Sequence, residues 1–186
     1  ERYEKRDLTV MLNGNEMKGC MIREFLMDGD INKHKILKLS IELAEEYESV
    51  YKELNQLKDC KIEIYLNKNN KNKKPEKVIV FSGCIKRSRY ISYGSRGRRF
   101  ETESYSKSEK MDREEKYRVF QDARMTFRQV AEEIVKEYKN DKIDILFTEG
   151  AEVPINNLIV QFGETDWEFL VRLASHLGLG ILSARG

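Results

Sequence analysis

Apolar and polar residues alternate with a period of two through much of the first hundred residues. Leu37, Leu39 and Ile41, for example, are each separated by one polar residue, a pattern typical of a half-buried strand. Gly83 lies inside the longest such run, and an interior glycine indicates a bulge or a bend. The pattern predicts six strands, at 8–12, 20–27, 37–43, 60–67, 77–92 and 98–106. Six short strands with little helical pattern predict a small antiparallel barrel or sandwich.

One segment inside this β region has helical spacing instead. Apolar residues recur three or four positions apart between Ala44 and Leu57, with glutamates on the other face. This spacing predicts a short helix over 44–57, inserted between strands. The stretches 67–75 and 93–99 are polar and rich in turn-forming residues, so we predict two exposed loops there.

Two helix starts follow in the last third of the chain. Thr126 has Gln129 three residues later, and Thr165 has Glu168 at the same spacing. Each pair has the residue types and spacing of a capping box, in which the two side chains satisfy free backbone N–H groups at the helix start. An apolar stripe runs from Phe127 to Tyr138 at helical spacing.

Two short strands are predicted between these helices. The first is predicted from apolar residues at every second position, Ile143, Ile145 and Phe147. The second is the extended run 158–162, which ends at Gly163. Residues 117–180 therefore predict the order helix, strand, strand, helix, an α+β unit after a charged linker. The overall fold class is mostly β with an α+β part.

The composition limits the classes of protein and of functional site that the chain can represent. Of 186 residues, 40% are hydrophobic and 35% charged, which suffices for a packed core. No apolar run approaches the roughly 18 residues of a membrane span, and the charged start has no signal-peptide pattern. Three cysteines without a CxxC pair predict reduced thiols, and two distant histidines match no zinc spacing. Nucleophile, P-loop and dinucleotide motifs are missing from the sequence, so we expect no enzyme, metal or cofactor.

Charge is uneven along the chain. Residues 61–100 carry 12 basic and 2 acidic side chains, whereas the whole chain has a net charge of +2. Arg96, Arg98 and Arg99 are candidates for an electrostatic interface. The same segment has Tyr90, Tyr93 and Phe100, which could stack on bases if it bound nucleic acid.

Acidic residues cluster at the start of the last helix. Glu164, Asp166 and Glu168 could serve acid–base or metal chemistry, but acids in a first helical turn also stabilise the positive helix end, and we favour this structural role. Glu168 and Arg172 have the spacing of an exposed ion pair. Trp167, the one tryptophan, is predicted in the core or at a protomer interface.

These residues also carry a family resemblance. The stretch from Gln161 to Leu173 and an earlier one from Ser104 to Phe127 resemble signatures of the baseplate hub family of contractile injection machines, which includes phage late-control D and VgrG proteins. Phe127 replaces the usual Tyr of that pattern. The motif residues in this sequence are Ser104, Tyr105, Ser106, Phe120, Gln121, Thr126, Gln161, Glu164, Asp166, Trp167, Phe169, Leu170, Arg172 and Leu173.

The resemblance implies a structural role. It implies a tube-like β-barrel at 7–107, a linker at 108–116 and an α+β connector at 117–182, leading toward a second barrel that this sequence does not include. It further implies a homotrimer that adapts a hexameric tail tube to a trimeric spike, with tube, spike and other baseplate proteins as partners. Assembly in the bacterial cytoplasm and residence in a virion tail or injection particle follow from the same resemblance.

Two alternatives remain open from the residues. The run from Val160 to Ala174 is similar to the start of a LysM peptidoglycan-binding module, although such a module needs a further helix and strand and eight residues follow Gly178. A basic nucleic-acid-binding β module would rest on segment 61–100 alone.

Overall fold

The computed structural model describes residues 7–43, 60–68, 76–94, 97–147 and 150–183. The described residues form two compact units. The N-terminal unit comprises those within Glu1–Asp30, His34–Ser106 and Ser183–Gly186, and the C-terminal unit comprises Ile31–Lys33 and Lys107–Leu182. The predicted helix over 44–57, most of the predicted loop at 67–75, and Arg96 lie outside the described residues.

The described part of the N-terminal unit is a seven-stranded antiparallel sheet with the order β2-β1-β5-β6-β7-β4-β3. All six predicted strands are confirmed, and a two-residue strand, β2, joins them. No pairing between β2 and β3 closes the sheet among the described residues. The strands are β1 (Leu8–Leu12), β2 (Asn15–Glu16), β3 (Met21–Asp28), β4 (Ile36–Glu42), β5 (Lys61–Lys68), β6 (Glu76–Ser92) and β7 (Arg98–Ser106).

Alternation along the strands builds the core of this unit. In β4, Leu37, Leu39 and Ile41 are buried on one face while Lys38 is exposed. Fully buried side chains from other strands of the sheet, including Phe81 on β6, join the same cluster. Burying aliphatic and aromatic groups of this size stabilises a fold by about 1.5–3 kcal/mol each, so the period-two pattern determines which face is internal.

Gly83 lies where two strands approach closely. A Cβ added there would come within 2.0 Å of the Tyr105 carbonyl oxygen. The β6–β7 ladder shifts register nearby, between Ile85 and Arg87. The predicted irregularity is therefore present in β6, two residues beyond the glycine, and the glycine itself allows the close backbone contact.

The C-terminal unit combines a two-stranded ribbon with helices. Strand β8 (Glu115–Phe120) pairs antiparallel with β9 (Ile159–Thr165). Helix α1 spans Phe127–Val135 and helix α2 spans Asp166–His176. Two 3₁₀ helices cover Lys107–Asp112 and Lys136–Asp141.

Both capping boxes are confirmed. The Thr126 hydroxyl accepts from the Gln129 N–H at 3.2 Å, and the Thr165 hydroxyl accepts from the Glu168 N–H at 3.1 Å. In each box the later side chain accepts from the threonine N–H at 2.9 Å. The apolar stripe from Phe127 ends its α-helical part at Val135, and Tyr138 lies in the following 3₁₀ helix.

Three expectations in this unit need correction. Residues 143–147, predicted as a strand, belong to no sheet. Ile143, Ile145 and Phe147 pack against the helical core instead, so the alternation records which side chains are buried and not a backbone pairing. The observed order is strand, helix, strand, helix, because β8 precedes α1. The segment 108–116, expected as a linker, contains all but the first residue of the 3₁₀ helix Lys107–Asp112 and the first two residues of β8.

No helix in the described part of the chain is long and apolar enough to cross a membrane. Cys20, Cys60 and Cys84 form no disulfide. Burial and the neighbouring Cys84 raise the pKa of the Cys60 thiol.

Candidate functional site

The C-terminal unit contains a buried carboxylate surrounded by donors. The Asp166 side chain is fully buried at the start of α2. Its Oδ1 accepts from Arg118 Nη1 at 2.5 Å and from Gln161 Nε2 at 2.9 Å. Its Oδ2 accepts from the Tyr138 hydroxyl at 2.7 Å and lies 3.0 Å from Lys116 Nζ. With Glu137, these residues form what we call the Asp166 cluster: Lys116, Arg118, Glu137, Tyr138, Gln161 and Asp166.

Four elements contribute to the Asp166 cluster. Lys116 and Arg118 are two residues apart on β8, so both point to the same face of the ribbon. Arg118 is paired in register with Gln161 on β9. The 3₁₀ helix Lys136–Asp141 supplies Glu137, which accepts from Lys116 Nζ at 2.6 Å and from Arg118 Nη2 at 2.5 Å.

Electrostatics keep the members of the cluster in fixed protonation states. Burial would raise the pKa of Asp166, but hydrogen bonds from Arg118, Gln161, Tyr138 and Lys116 lower it to about 2. Burial and the hydrogen bond to Asp166 raise the pKa of Tyr138 to about 12. At neutral pH neither group exchanges a proton readily, so the cluster fastens a ribbon, a 3₁₀ helix and a helix together and is not suited to acid–base chemistry.

The other two acids at this helix start have separate structural partners. Arg172 binds Glu164, with its Nε 3.1 Å from Oε2, and donates to the Val160 carbonyl at 2.7 Å. The expectation of a Glu168–Arg172 ion pair is therefore wrong, because the Glu168 carboxylate accepts from the Thr165 N–H in the capping box. Glu164, Asp166 and Glu168 thus each have hydrogen-bond partners within the described fold.

The apolar motif residues form the core of the C-terminal unit. Phe169, Leu170 and Leu173 on α2 are buried, and Phe169 stacks on Phe120 with ring centroids 5.8 Å apart. Trp167 is 8% exposed and its Nε1 donates to the Asn32 carbonyl at 3.4 Å. Of the two places predicted for Trp167, the core is where the structure puts it.

The remaining motif residues are spread over both units. Ser104 and Ser106 are buried on β7, and the Ser106 hydroxyl accepts from the Lys35 N–H at 3.1 Å. Tyr105 is half-buried, with its hydroxyl 3.4 Å from Glu103. Gln121, just after β8, is exposed. No described residue hydrogen-bonds the Ser104 hydroxyl.

The two described basic candidates, Arg98 and Arg99, lie on the N-terminal unit. The Arg99 guanidinium lies 5.7 Å from the centre of the Tyr93 ring and 3.9 Å from a Glu101 carboxylate oxygen. Arg98 is half-buried and its carbonyl accepts from the Leu43 N–H. Phe100 is 1% exposed in the core, so the expectation that it could stack on bases is wrong.

An exposed apolar face covers the outer side of the β8–β9 ribbon. Tyr117, Val119 and Phe162 are 66%, 54% and 77% exposed. The rings of Tyr117 and Phe162 meet edge to face at 5.2 Å. These three residues, which we call the ribbon face, are opposite in orientation to Arg118 and Gln161, as alternation along a strand requires.

No cluster of three potential metal ligands occurs among His, Cys, Asp and Glu in the described ranges.

The sequence patterns did not predict most of the Asp166 cluster. Lys116 and Arg118 alternate with exposed Tyr117 and Val119, a signal for a strand with a basic inner face. The charged residues just before this strand are typical of a linker, so the alternation at its start is easily missed.

The sequence profile of the phage tail baseplate hub (GPD) family matches residues 39–183. The chain belongs to this family. The match spans both units, and within it lie the Asp166 cluster, both capping boxes and every motif residue from Ser104 to Leu173. No curated protein matches this baseplate hub chain significantly.

Two solved tail proteins share the fold of this hub-family chain. The tail protein of Neisseria meningitidis MC58 has a TM-score of 0.62 at 16% identity, covering 94% of this chain and 46% of that one. The 43 kDa tail protein of prophage MuSo2 from Shewanella oneidensis has a TM-score of 0.62 at 16% identity, covering 96% of this chain and 52% of that one. The hub-family chain thus spans about half the length of the solved structures it matches.

Proposed function

We propose that this chain is a structural hub component of a contractile phage tail or a related injection machine, where it adapts a hexameric tail tube to a trimeric spike. The observation that carries the proposal is the match to the baseplate hub family over residues 39–183. The shared fold with two tail proteins supports it at the level of architecture.

The N-terminal unit, over 7–107, would act as a tube-like barrel. Its single core supports this proposal. Leu12 on β1 and Leu37 on β4 belong to one buried cluster, although β5, β6 and β7 separate their strands in the sheet. A sheet that brings such distant strands to one core must curl strongly. We propose that it closes as a barrel, joined by the linker 108–116 to an α+β connector at 117–182.

Self-association is the second part of the proposal. We expect a homotrimer, and the ribbon face offers apolar surface for contacts between proteins. Phe162 is 77% exposed and packs against Tyr117 in an outward-facing pair. Contiguous exposed aromatic surface is typical of protein–protein contacts.

We propose a structural and not an enzymatic role for the Asp166 cluster. Each carboxylate oxygen of Asp166 has at least two donors, and the guanidinium of Arg118 bridges Asp166 and Glu137. A satisfied buried network rigidifies its surroundings. A hub that carries mechanical load between tube and spike would need such a rigid connector.

Light scattering of the purified chain tests the proposal. The molar mass would be measured across concentration, alone and with the tube and spike proteins encoded beside it. We expect a trimer, either alone or after addition of spike, and loss of trimer in a variant with Tyr117→Ser and Phe162→Ser.

A chain that stays monomeric and ignores both tube and spike would contradict the proposal. Binding to peptidoglycan fragments would then support the LysM alternative. Binding to DNA that weakens strongly with added salt would support the nucleic-acid alternative.

A further inference from the structure

The C-terminal unit exposes a second apolar patch, which shares no residue with the ribbon face. Ile31, Leu179 and Leu182 are 57%, 36% and 68% exposed. Ile31 lies in the loop between β3 and β4, and the two leucines follow the end of α2. The two segments meet at Gly180, where an added Cβ would come within 2.4 Å of Ile31 Cγ2. We call Ile31, Leu179 and Leu182 the Ile31 patch.

The backbone of residues 179–183 brings two members of the Ile31 patch to the same side. This segment contains no turn or bend. Successive side chains of an extended chain point to opposite sides, so positions 180 and 182 share a side. Ile31 lies against position 180, and Leu182 therefore lies on the side that Ile31 covers. Ile181, between them, packs against the core of the unit instead.

Asn32 fixes the two segments of the patch to each other. Its φ is +61°, in the left-handed region that Asn adopts more readily than most residues. Its N–H donates to the Ile181 carbonyl at 2.8 Å, and its Oδ1 accepts from the Ile181 N–H at 2.9 Å. Its carbonyl accepts from Trp167 Nε1. Three hydrogen bonds thus hold a backbone conformation of higher energy, so the apolar side chains beside Asn32 are presented in a fixed arrangement.

The two apolar patches have charges of opposite sign beside them. Lys116 and Arg118 on β8 both face Asp166, so the exposed Glu115 lies on the same outer side as Tyr117. The exposed Lys33 follows Asn32 directly beside the Ile31 patch. Two ribbon faces in contact would bring like charges together, whereas a ribbon face against an Ile31 patch brings Glu115 near Lys33. Charge complementarity therefore favours contact between the two different patches.

From these features we propose that the ribbon face of one copy of this chain packs head to tail on the Ile31 patch of a second copy. Tyr117 and Phe162 would cover Ile31 and Leu182. A contact between two different patches repeats around a closed ring, since every copy offers one of each. The number of three copies in the ring rests on the proposed function, whereas the contact itself does not.

The size of the patches predicts how the copies associate. A standard interface buries about 800 Å² on each partner, and patches of three partly exposed side chains offer roughly half of that or less. One contact alone is therefore weak. Closing a ring adds a contact within an assembly that is already formed, and this raises its effective concentration. We expect monomer and closed ring to predominate, with little open dimer.

Two variants of the full chain test the pairing by sedimentation across concentration, alone and with the spike protein. The ribbon variant combines Tyr117→Ser with Phe162→Ser, and the patch variant combines Ile31→Ser with Leu182→Ser. Each should need at least a tenfold higher concentration than the parent to associate. A mixture of the two should form a one-to-one complex, because the ribbon variant keeps its Ile31 patch and the patch variant keeps its ribbon face.

The matched control combines Leu146→Ser with Val153→Ser, two exposed apolar residues outside both patches, and should associate as the parent does. Circular dichroism and the fluorescence of Trp167 check that the patch variant is folded.

Two further measurements identify the contact directly. Phe162→benzoylphenylalanine places a photo-crosslinker on the ribbon face, and we expect it to link to residue 31 or to 179–182 of another copy. Mixing isotopically labelled and unlabelled chains distinguishes links between copies from links within one. Glu115→Lys and Lys33→Glu should each weaken association, and the double variant should recover most of it.

The inference is overturned if the patch variant associates as the parent does, or if position 162 links only to another ribbon face. Absence of both association and crosslinks in the parent would overturn it as well. A parent that forms a trimer with spike while the patch variant does the same would reject this contact and leave the hub proposal standing. Ribbon-to-patch crosslinks in a chain that binds neither tube nor spike would support the contact and contradict the hub.

Discussion

At the scale of single residues, Asp166 shows how one position can be both a helix start and a tertiary anchor. Its place in the first turn of α2 favours a negative charge at any such helix. Because the carboxylate is buried, its charge needs hydrogen-bond donors in place of water. These donors are Arg118, Gln161, Tyr138 and Lys116. The charge is thus held by long-range contacts and not by the helix alone.

The first prediction concerns Asp166→Asn. The substitution keeps the shape but removes the charge, and we expect a loss of about 2 kcal/mol in the free energy of unfolding at pH 7. The pKa of Asp166 is lowered from 3.8 to about 2, so its contribution is present above pH 4 and is lost as the pH falls toward 2. Urea unfolding at several pH values measures both effects.

The parent chain should therefore lose stability more steeply than Asp166→Asn between pH 4 and pH 2. Parallel curves for the two proteins over this interval would show that the carboxylate is not held in its charged form by folding. Asp122→Asn serves as control, because Asp122 is exposed and pairs locally with Arg124.

Gly83 carries the second prediction at this scale. A methyl group there would lie 2.0 Å from the Tyr105 carbonyl oxygen, so β6 and β7 must separate. We expect Gly83→Ala to destabilise the fold by about 3 kcal/mol or to prevent folding. Gly14→Ala is the matched control, because a Cβ added at Gly14 meets no atom within 4 Å. The φ of +84° at Gly14 adds some backbone strain to this control. Thermal melting that is unchanged in Gly83→Ala would contradict the close approach.

At the scale of elements, both α-helices begin at capping boxes whose surroundings differ. Thr126 makes a local cap, whereas the Thr165 hydroxyl also donates to Asp112 at 2.5 Å. Helix α2 carries Phe169, Leu170 and Leu173 into the core. The second cap therefore connects the start of α2 to the 3₁₀ helix that ends at Asp112.

The third prediction compares the two caps. Thr126→Val removes a hydroxyl with little change in shape and should cost about 1 kcal/mol. Thr165→Val loses the bond to Asp112 as well and should cost about 1 kcal/mol more. Urea unfolding gives both values. Ser175→Ala, an exposed hydroxyl within α2, should change stability by less than about 0.5 kcal/mol. Equal costs at the two threonines would rule out a tertiary role for Asp112.

At the scale of the whole molecule, the two units differ in the charge that their residues carry. The N-terminal unit contains the basic segment 61–100, and the C-terminal unit contains an acidic excess together with the ribbon face. In a multi-protein assembly such unevenness steers the docking of neighbours.

The fourth prediction tests this electrostatic role. Reversing Arg96, Arg98 and Arg99 to Glu should weaken association with tube or spike, because a positive surface is replaced by a negative one. The fold should persist, since Arg99 makes only a 3.9 Å pair with Glu101 and a contact with the Tyr93 ring at the surface. Sedimentation measures assembly, and circular dichroism checks the fold. Assembly at parental strength would contradict an interface at these arginines.

Much of this architecture could be predicted from local patterns. Six of the seven described strands of the N-terminal unit follow the alternation that burial of one sheet face imposes on successive residues. The two helix starts follow from side chains three residues apart, which interact without help from the rest of the fold. The motif around Gln161 to Leu173 indicated the family for the same reason: the residues that define it are close in sequence.

Other features arose only in the tertiary structure. Residues 143–147 alternate as a strand does, yet a strand needs a partner backbone, and the described part of the fold pairs none with them. The ribbon pairs β8 with β9 across some forty residues, and this pairing brings Lys116 and Arg118 to Asp166. Local sequence determined which side chains are buried and where the helices begin. Long-range pairing decided which buried charges meet and which extended segments join a sheet, because those contacts join residues that no local pattern connects.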